Sequence, residues 1–206
     1  MNDKARMLAG KLYSSLGPEL RADARRSRRL TRLFNATTEE QQEERQRLLK
    51  ALFAATGERL YIEPPFRCDY GGNIFIGEGF YANFDCIILD VCRVRIGERV
   101  LFGPRVCVYT ASHPIDAGVR AELECGKPVT IGDDVWVGGN SVINPGVRIG
   151  NRVVIGAGSV VTKDIPDDVV AAGNPCRIIR PITEEDRQYW QQLRDEYRAE
   201  LEPPVA

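Results

Sequence analysis

Residues 131–162 read IGDDVWVGGNSVINPGVRIGNRVVIGAGSVVT, and an aliphatic side chain recurs at every sixth position of this stretch. The series is Ile131, Val137, Ile143, Ile149, Ile155 and Val161. A period of six matches neither the period of about 3.6 of a helix nor the alternation of a long strand. It predicts very short strands separated by sharp turns, three to a coil. Stacked coils then pair their strands in parallel, and one side chain per strand points inward.

The same step continues upstream, in the series Ile76, Ala82, Ile88, Val94 and in the series Ile96, Phe102, Val108. Sixteen of the nineteen glycines fall between Gly71 and Gly173, where sharp turns favour residues that tolerate a positive φ. At three hexapeptides a coil, residues 71–164 predict about five coils. The fold class is therefore expected to be mainly β, a parallel β-helix.

The register of the repeat breaks twice. Two extra residues are inserted around residues 90–92, and the spacing from Val108 to Ile131 is 23 rather than a multiple of six. The second break predicts an extended loop over residues 109–130. A loop that leaves a rigid scaffold is a common place for functional residues, and this one contains His113.

The two ends of the chain have helical patterns that differ from the repeat between them. Residues 1–56 predict an N-terminal helical segment, in which Pro18 begins the second helix and Thr38 with Gln41 forms a capping box for the third. Residues 57–180 form the predicted β-helix. Residues 181–206 predict a short C-terminal helix and tail, which Thr183 caps.

Composition excludes several classes of protein. With 206 residues, 43% hydrophobic, and 28 basic against 29 acidic side chains, the chain is typical of a soluble globular domain. It has no apolar run of about 20 residues and no signal-peptide pattern, so a cytoplasmic location without membrane contact is expected. The basic run over residues 21–32 lacks interleaved aromatic residues, which favours a solvated, partly paired face over a nucleic-acid site.

His113 is the one histidine of the chain, which excludes zinc sites built from two or three imidazoles. None of the six cysteines forms a Cys-x-x-Cys pair, so no metal is expected. His113 lies at the root of the predicted loop and is the one candidate for a general base near neutral pH.

Other polar residues leave two interpretations open. Asp90 and Glu124 are carboxylates near His113 in the repeat geometry, and Asn83 either caps a turn or faces a site. Trp136 is either packing or the platform of a binding cleft. Four polar residues near the C-terminal end of the coils suit a phosphate-bearing cofactor: Thr162, Lys163, Arg177 and Arg180. Surface salt bridges are the commoner use of the three cations among them.

Several motifs together resemble the bacterial maltose/galactoside O-acetyltransferases, nearest the maltose branch. They are YANF at 81–84, ILDVC at 88–92, ASHP at 111–114, GKPV at 126–129, NPGV at 144–147 and VTKDIP at 161–166. The resemblance implies a left-handed coil, acetyl-CoA as donor and a sugar hydroxyl as acceptor. It also implies a homotrimer whose active sites lie between subunits.

By position, the resemblance implies a role for each matching residue. His113 becomes the general base, Asn83 stabilises the oxyanion, and Glu124 is the glutamate of the catalytic loop. No cysteine adjoins His113 in sequence, which favours direct transfer of the acetyl group over an acyl-cysteine intermediate. The sugar subsite then includes Asp69, Tyr81 and Asp90. The expected cofactor-binding set is Asn83, Trp136, Gly139, Ala157, Thr162, Lys163, Arg177 and Arg180.

One departure from the family pattern and two alternative functions are left open. Family members often carry an aspartate near residues 15–17 that reaches the acceptor, and this chain has none. The acceptor could instead be an oligosaccharide, an amino sugar or a xenobiotic, acetylated on oxygen or nitrogen. A different class of function is a non-catalytic solenoid that serves as a scaffold.

Overall fold

The computed structural model describes residues 1–201, in which three helices precede a β-solenoid and one follows it. The first helices are α1 (Asp3–Leu8), α2 (Pro18–Asn35) and α3 (Gln42–Leu52). The strands before the His113 loop are β1 (Leu60–Ile62), β2 (Phe66–Cys68), β3 (Ile74–Ile76), β4 (Phe80–Ala82), β5 (Cys86–Leu89), β6 (Val94–Ile96), β7 (Leu101–Phe102) and β8 (Cys107–Tyr109). A loop with β9 (Ala111–Ser112), α4 (Ala117–Glu122) and β10 (Cys125–Gly126) follows. The later coils contain β11 (Val129–Ile131), β12 (Trp136–Val137), β13 (Val142–Ile143), β14 (Arg148–Ile149), β15 (Val154–Ile155), β16 (Val160–Val161) and β17 (Val169–Ala172), before β18 (Arg177–Pro181) and α5 (Glu184–Leu201).

Three sheets form the faces of the solenoid, and the chain visits them in rotation. The seven-stranded sheet has the order β1-β4-β7-β12-β15-β17-β18, the five-stranded sheet β16-β13-β8-β5-β2, and the four-stranded sheet β14-β11-β6-β3. Every pairing within them is parallel except that of β17 with β18. The predicted parallel β-helix is confirmed. It has six coils rather than about five, because β1, β2 and β17 lie outside the span used for the count.

The six-residue register places the expected side chains inside. All six aliphatic residues of the series from Ile131 to Val161 are at most 2% exposed. Ile131 pairs with Ile96 in the coil before and with Ile149 in the coil after, so equivalent positions stack on one another. This continuous aliphatic column is the core of the solenoid.

Both breaks in the register correspond to departures of the chain from the regular coil. Ile76 pairs with Ile96, so the inserted residues around 90–92 bulge out at one corner without disturbing the column. The second break sends residues 111–126 away from the solenoid, where β9 pairs antiparallel with β10. Between these strands, α4 is capped by Asp116, whose Oδ1 accepts from the Val119 N–H at 2.9 Å.

The N-terminal helices follow the prediction with one correction. Pro18 begins α2 as expected, but α3 begins at Gln42 and has no side-chain cap. The Thr38 N–H instead donates to Gln41 Oε1 at 2.9 Å, which closes a separate turn before the helix. Phe34 and Leu52 are fully buried and join the solenoid core, so α2 and α3 close its first coil.

The C-terminal helix α5 has 18 residues, more than the short helix expected, and none of them is buried. Residues 202–206 of the predicted tail lie outside the described residues. Of the helices described, none combines the length and the apolar character that crossing a membrane requires.

Two edges of the solenoid matter for function. The Asn83 edge is the corner where the chain passes from the seven-stranded to the five-stranded sheet, as at residues 83–85 between β4 and β5. The His113 edge is the next corner, from the five-stranded to the four-stranded sheet, from which the loop of residues 111–126 leaves.

Candidate active site

The root of the His113 loop is fixed by a buried threonine. Thr110 Oγ1 donates to the Leu89 carbonyl at 2.7 Å and accepts from the Cys92 N–H at 2.9 Å. Its backbone N–H also bonds to Leu89, so the chain leaves the solenoid from a rigid point. His113, three residues after Thr110 and directly after β9, has an exposed side chain, which leaves its imidazole free to meet a ligand.

Glu124 on the returning side of the loop is held by the N-terminal segment. The Tyr13 hydroxyl donates to one carboxylate oxygen at 2.8 Å, and the Ser15 hydroxyl to the other at 2.7 Å. The backbones of Tyr13 and Glu124 exchange two further bonds at 3.0 Å. Burial, followed by the Glu124 hydrogen bond, raises the pKa of Tyr13, which keeps its hydroxyl a donor. Glu124 is thus an oriented acceptor.

Asp69 is a second carboxylate beside Glu124. Burial, and then repulsion from Glu124, raises the pKa of Asp69 to about 6. Arg28 lowers it, but this is the smallest of the three effects. A carboxyl that ionises this close to neutral pH, with no side-chain partner in the described structure, is suited to bind the hydroxyls of a ligand.

These groups border an open cavity of about 670 Å³ at the His113 edge. One wall comes from α2, and Ala111, two residues before His113, belongs to its lining. The lining residues are Ser15, Leu16, Leu20, Arg21, Ala24, Arg25, Arg28, Cys68, Asp69, Tyr70, Leu89, Val91, Ala111 and Glu124. The size and the few convergent polar groups are those of a small-molecule site.

Asp90, expected in the sugar subsite, lies beneath this cavity instead of lining it. Its side chain is fully buried, and its carboxylate accepts from the backbone N–H groups of Asp69, Tyr70 and Asn73 at 2.9–3.2 Å. Burial raises the pKa of Asp90 to about 7, while backbone N–H donors oppose that rise. In this chain Asp90 positions the turn that carries Asp69.

Replacing Asp90 by alanine is expected to destabilise the fold by about 3–5 kcal/mol, because three buried N–H groups lose their acceptor. In a chain of this size that lowers Tm by roughly 10 °C. Thermal unfolding measures the effect, and Asp195→Ala on exposed α5 is the control that removes the same charge. An unchanged Tm together with a raised KM would instead assign Asp90 to direct acceptor binding.

The Asn83 edge collects a different part of the expected site. Asn83, Gly139 and Ala157 occupy the same corner in the second, fourth and fifth coils. Asn83 Oδ1 accepts from the Phe84 N–H at 2.8 Å, while no described residue accepts from its Nδ2. At Gly139 a Cβ would stand 3.0 Å from the Pro104 carbonyl oxygen, so the corner leaves little room for a side chain.

An apolar row runs along the seven-stranded sheet beside that edge. Tyr81 pairs with Leu101, which pairs with Trp136, and the Tyr61 and Tyr81 rings stack at 5.8 Å. Trp136 is 55% exposed and Leu101 nearly as much. Trp136 thus lies on the surface and does not pack in the core of the chain.

The expected phosphate-binding residues divide between the two edges. Thr162 and Lys163 follow β16 at the His113 edge, and both are exposed. Arg177 lies on β18 opposite Ala172, near the Asn83 edge. Arg180 on the same strand donates two hydrogen bonds to Asp186, at 2.6 and 2.9 Å. Its guanidinium group is therefore already in an ion pair.

One copy of the chain therefore does not bring the expected site together. His113, Glu124, Asp69 and Lys163 belong to one edge, whereas Asn83, Gly139, Ala157 and Arg177 belong to or lie near the other. The five-stranded sheet separates the edges. At about 3.3 Å per residue, a strand such as β5 with its flanking residues spans roughly 15–20 Å.

Comparisons with known proteins agree with this architecture. The family description "maltose acetyltransferase hexapeptide capping motif" matches residues 6–57, and "bacterial transferase hexapeptide (six repeats)" matches residues 128–163. A galactoside O-acetyltransferase of Escherichia coli (strain K12) is 46% identical over 186 residues, which are 90% of this chain and 92% of the relative.

The chain belongs to the galactoside/maltose O-acetyltransferase family. It is an acetyltransferase of the hexapeptide-repeat class. A maltose O-acetyltransferase structure from Clostridium difficile 630 shares 52% identity and a TM-score of 0.88, covering 89% of this chain and 99% of that one. A galactoside acetyltransferase in complex with coenzyme A shares 45% identity and a TM-score of 0.88, covering 91% and 94%.

Two features of this cavity were not found from the sequence. Tyr13 and Ser15 orient Glu124 across more than a hundred residues, and no local pattern marks such a pair. The arginines of α2 were interpreted as a solvated face, yet Arg21, Arg25 and Arg28 line the cavity. Their spacing of four and then three residues, which puts them on one helical face, was the available signal.

Proposed function

We propose that the protein transfers the acetyl group of acetyl-CoA to a hydroxyl of a sugar such as maltose, glucose or a galactoside. The observation that carries the proposal is the single imidazole of the chain, His113, on a loop whose preceding strand lines a carboxylate-bearing cavity. Membership in a family of O-acetyltransferases, with a relative whose structure contains coenzyme A, supplies the donor.

His113 acts as the general base of the transfer. A sugar hydroxyl is almost fully protonated at neutral pH, so it attacks a thioester slowly unless a base removes its proton. The imidazole takes that proton as the hydroxyl oxygen bonds to the acetyl carbonyl carbon. When the tetrahedral intermediate collapses, the carbon–sulfur bond breaks and the imidazolium protonates the CoA sulfur. The products are the acetylated sugar and free CoA, and the base is restored.

Asn83 stabilises the oxyanion of that intermediate. Negative charge develops on the former thioester oxygen, where a fixed N–H donor is worth most in a site that excludes water. The Nδ2 of Asn83 has no acceptor among the described residues, and the Phe84 N–H holds the other end of the amide. The side chain is thus oriented and has a donor to spare.

Asp69 and Glu124 hold the acceptor. Carboxylate oxygens accept hydrogen bonds from sugar hydroxyls, and both residues line the cavity next to Ala111. Because Tyr13 and Ser15 hold Glu124 in one orientation, its remaining acceptor capacity points in a defined direction. This arrangement sets which hydroxyl approaches His113.

The site is completed by two copies in a homotrimer. His113 of one copy faces Asn83 of its neighbour, since the five-stranded sheet keeps the two residues apart within a chain. The exposed row of Tyr81, Leu101 and Trp136 lies beside the Asn83 edge, where it can pack against the neighbour and the pantetheine arm. Lys163 and Arg177 are the exposed cations assigned to the phosphates, because Arg180 is already paired with Asp186.

Two measurements test the transferase. CoA at 100 times its Kd is expected to stabilise the folded protein by about 2.7 kcal/mol, a Tm shift of roughly 5–10 °C. A panel of sugars with acetyl-CoA, scored by the release of free thiol, then identifies the acceptor, and NMR of the product identifies the modified hydroxyl. A Tm that CoA leaves unmoved would favour a non-catalytic scaffold, and release only with amines would favour N-acetylation.

A further inference from the structure

Three arginines of α2 form one wall of the acceptor cavity. Arg21, Arg25 and Arg28 succeed one another at intervals of four and three residues, so they project from the same face of the helix. All three are exposed, and none makes a salt bridge or side-chain hydrogen bond to any of residues 1–201. Three guanidinium groups without partners therefore border a cavity whose lining includes two carboxylates, Asp69 and Glu124.

The neighbouring arginines of the helix behave differently. Arg26 donates to the Ala51 and Leu52 carbonyls and so fastens α2 to the end of α3. Arg29 and Arg32 are exposed but do not line the cavity. The basic run is thus divided by function: one residue is structural, two face solvent, and three face the ligand space.

The two carboxylates do not neutralise these arginines. Among the causes that shift the pKa of Asp69, repulsion from Glu124 outweighs the attraction of Arg28, and Arg21 and Arg25 are not among them. Arg28 is the one arginine of the three that acts on Asp69, and no salt bridge joins them among the described residues. A ligand in the cavity therefore meets both hydrogen-bond acceptors and unpaired cations.

We infer that the physiological acceptor is an anionic sugar, one that carries a carboxylate or a phosphate besides its hydroxyls. The hydroxyls bind Asp69 and Glu124, and the anionic group binds Arg25 and Arg28, with Arg21 close by on the same face. Guanidinium groups pair with carboxylates and phosphates through two parallel hydrogen bonds, which gives both affinity and orientation. The inference rests on the proposed sugar acetyltransferase and specifies its substrate class.

Matched pairs of acceptors test the inference. Glucose is compared with glucuronic acid, galactose with galacturonic acid, and glucose with glucose 6-phosphate, each by acetyl-CoA-dependent thiol release. We expect kcat/KM at least about 10-fold higher for a charged member than for its neutral partner, the effect of one bidentate arginine contact. The uronic acids and the phosphate ester distinguish a carboxylate from a phosphate preference.

Two double variants locate the effect. Arg25→Gln with Arg28→Gln is expected to bring the charged and neutral acceptors within about threefold of each other. Arg29→Gln with Arg32→Gln removes the same charge at the same spacing on the same helix and leaves the preference intact. Raising the KCl concentration reduces the preference of the unmodified protein, since exposed ion pairs are screened.

The outcomes separate the two levels of the proposal. Equal turnover of charged and neutral sugars overturns the anionic acceptor but leaves the sugar acetyltransferase standing. A preference that both double variants reduce equally also overturns it, because the cause is then the general surface charge rather than the cavity. Thiol release with none of the sugars overturns the proposed function itself, and the inference with it.

Discussion

His113→Ala is expected to lower the turnover of the sugar acetyltransferase at least about 100-fold, the usual contribution of a general base. The chain has one histidine, so no second imidazole can take over the proton. The fold should be unaffected, because the side chain is exposed and Thr110 fixes the root of the loop through the Leu89 and Cys92 backbones. Steady-state thiol release measures the loss.

The control for this variant lies on the same loop. Ile115 is 97% exposed and takes no part in the proposed site, so Ile115→Ala should keep the full turnover. His113→Ala should also keep the Tm shift produced by CoA, since the residue is assigned to the chemistry and not to the donor. Undiminished turnover in His113→Ala would remove the residue from the mechanism.

The architecture of the solenoid was predictable because its signal repeats. Each coil needs an inward aliphatic residue at the same position on each face. The series of six residues that begins at Ile131 therefore repeats one requirement six times, and all six side chains are buried. The loop with His113 was predictable for the same reason, as a departure from a strict register. The number of coils was less certain, because β1 and β17 do not continue the six-residue series.

The site was harder to predict, because its residues act through contacts between distant segments. Asp90 stands in a motif that suggests acceptor binding, yet an inserted corner turns its carboxylate onto three backbone N–H groups. Glu124 is oriented by Tyr13 and Ser15, which lie in another element. The arginines of α2 gain their significance only when the helix packs beside the His113 edge. None of these relations has a fixed spacing in the sequence.

The separation of His113 from Asn83 leads to the second large effect. If each site joins the His113 edge of one copy to the Asn83 edge of the next, two inactive variants should restore activity when they assemble together. Asn83→Asp keeps an oxygen that accepts from the Phe84 N–H but replaces the Nδ2 donor, and loss of such a donor lowers kcat by about 10²–10³. His113→Ala removes the base.

Co-expression of the two variants should yield trimers of mixed composition. A site is intact when its His113 comes from the Asn83→Asp chain and its Asn83 from the His113→Ala chain. With equal amounts and random assembly this holds for about a quarter of the sites, since each of the two choices has a probability of one half. Thiol release should therefore rise from at most about 1% to about 25% of the unmodified activity.

A site contained within one chain predicts no recovery at any ratio, because every chain then lacks either the base or the donor. Light scattering of the purified mixture gives its mass, and a monomeric mass would contradict the shared site directly.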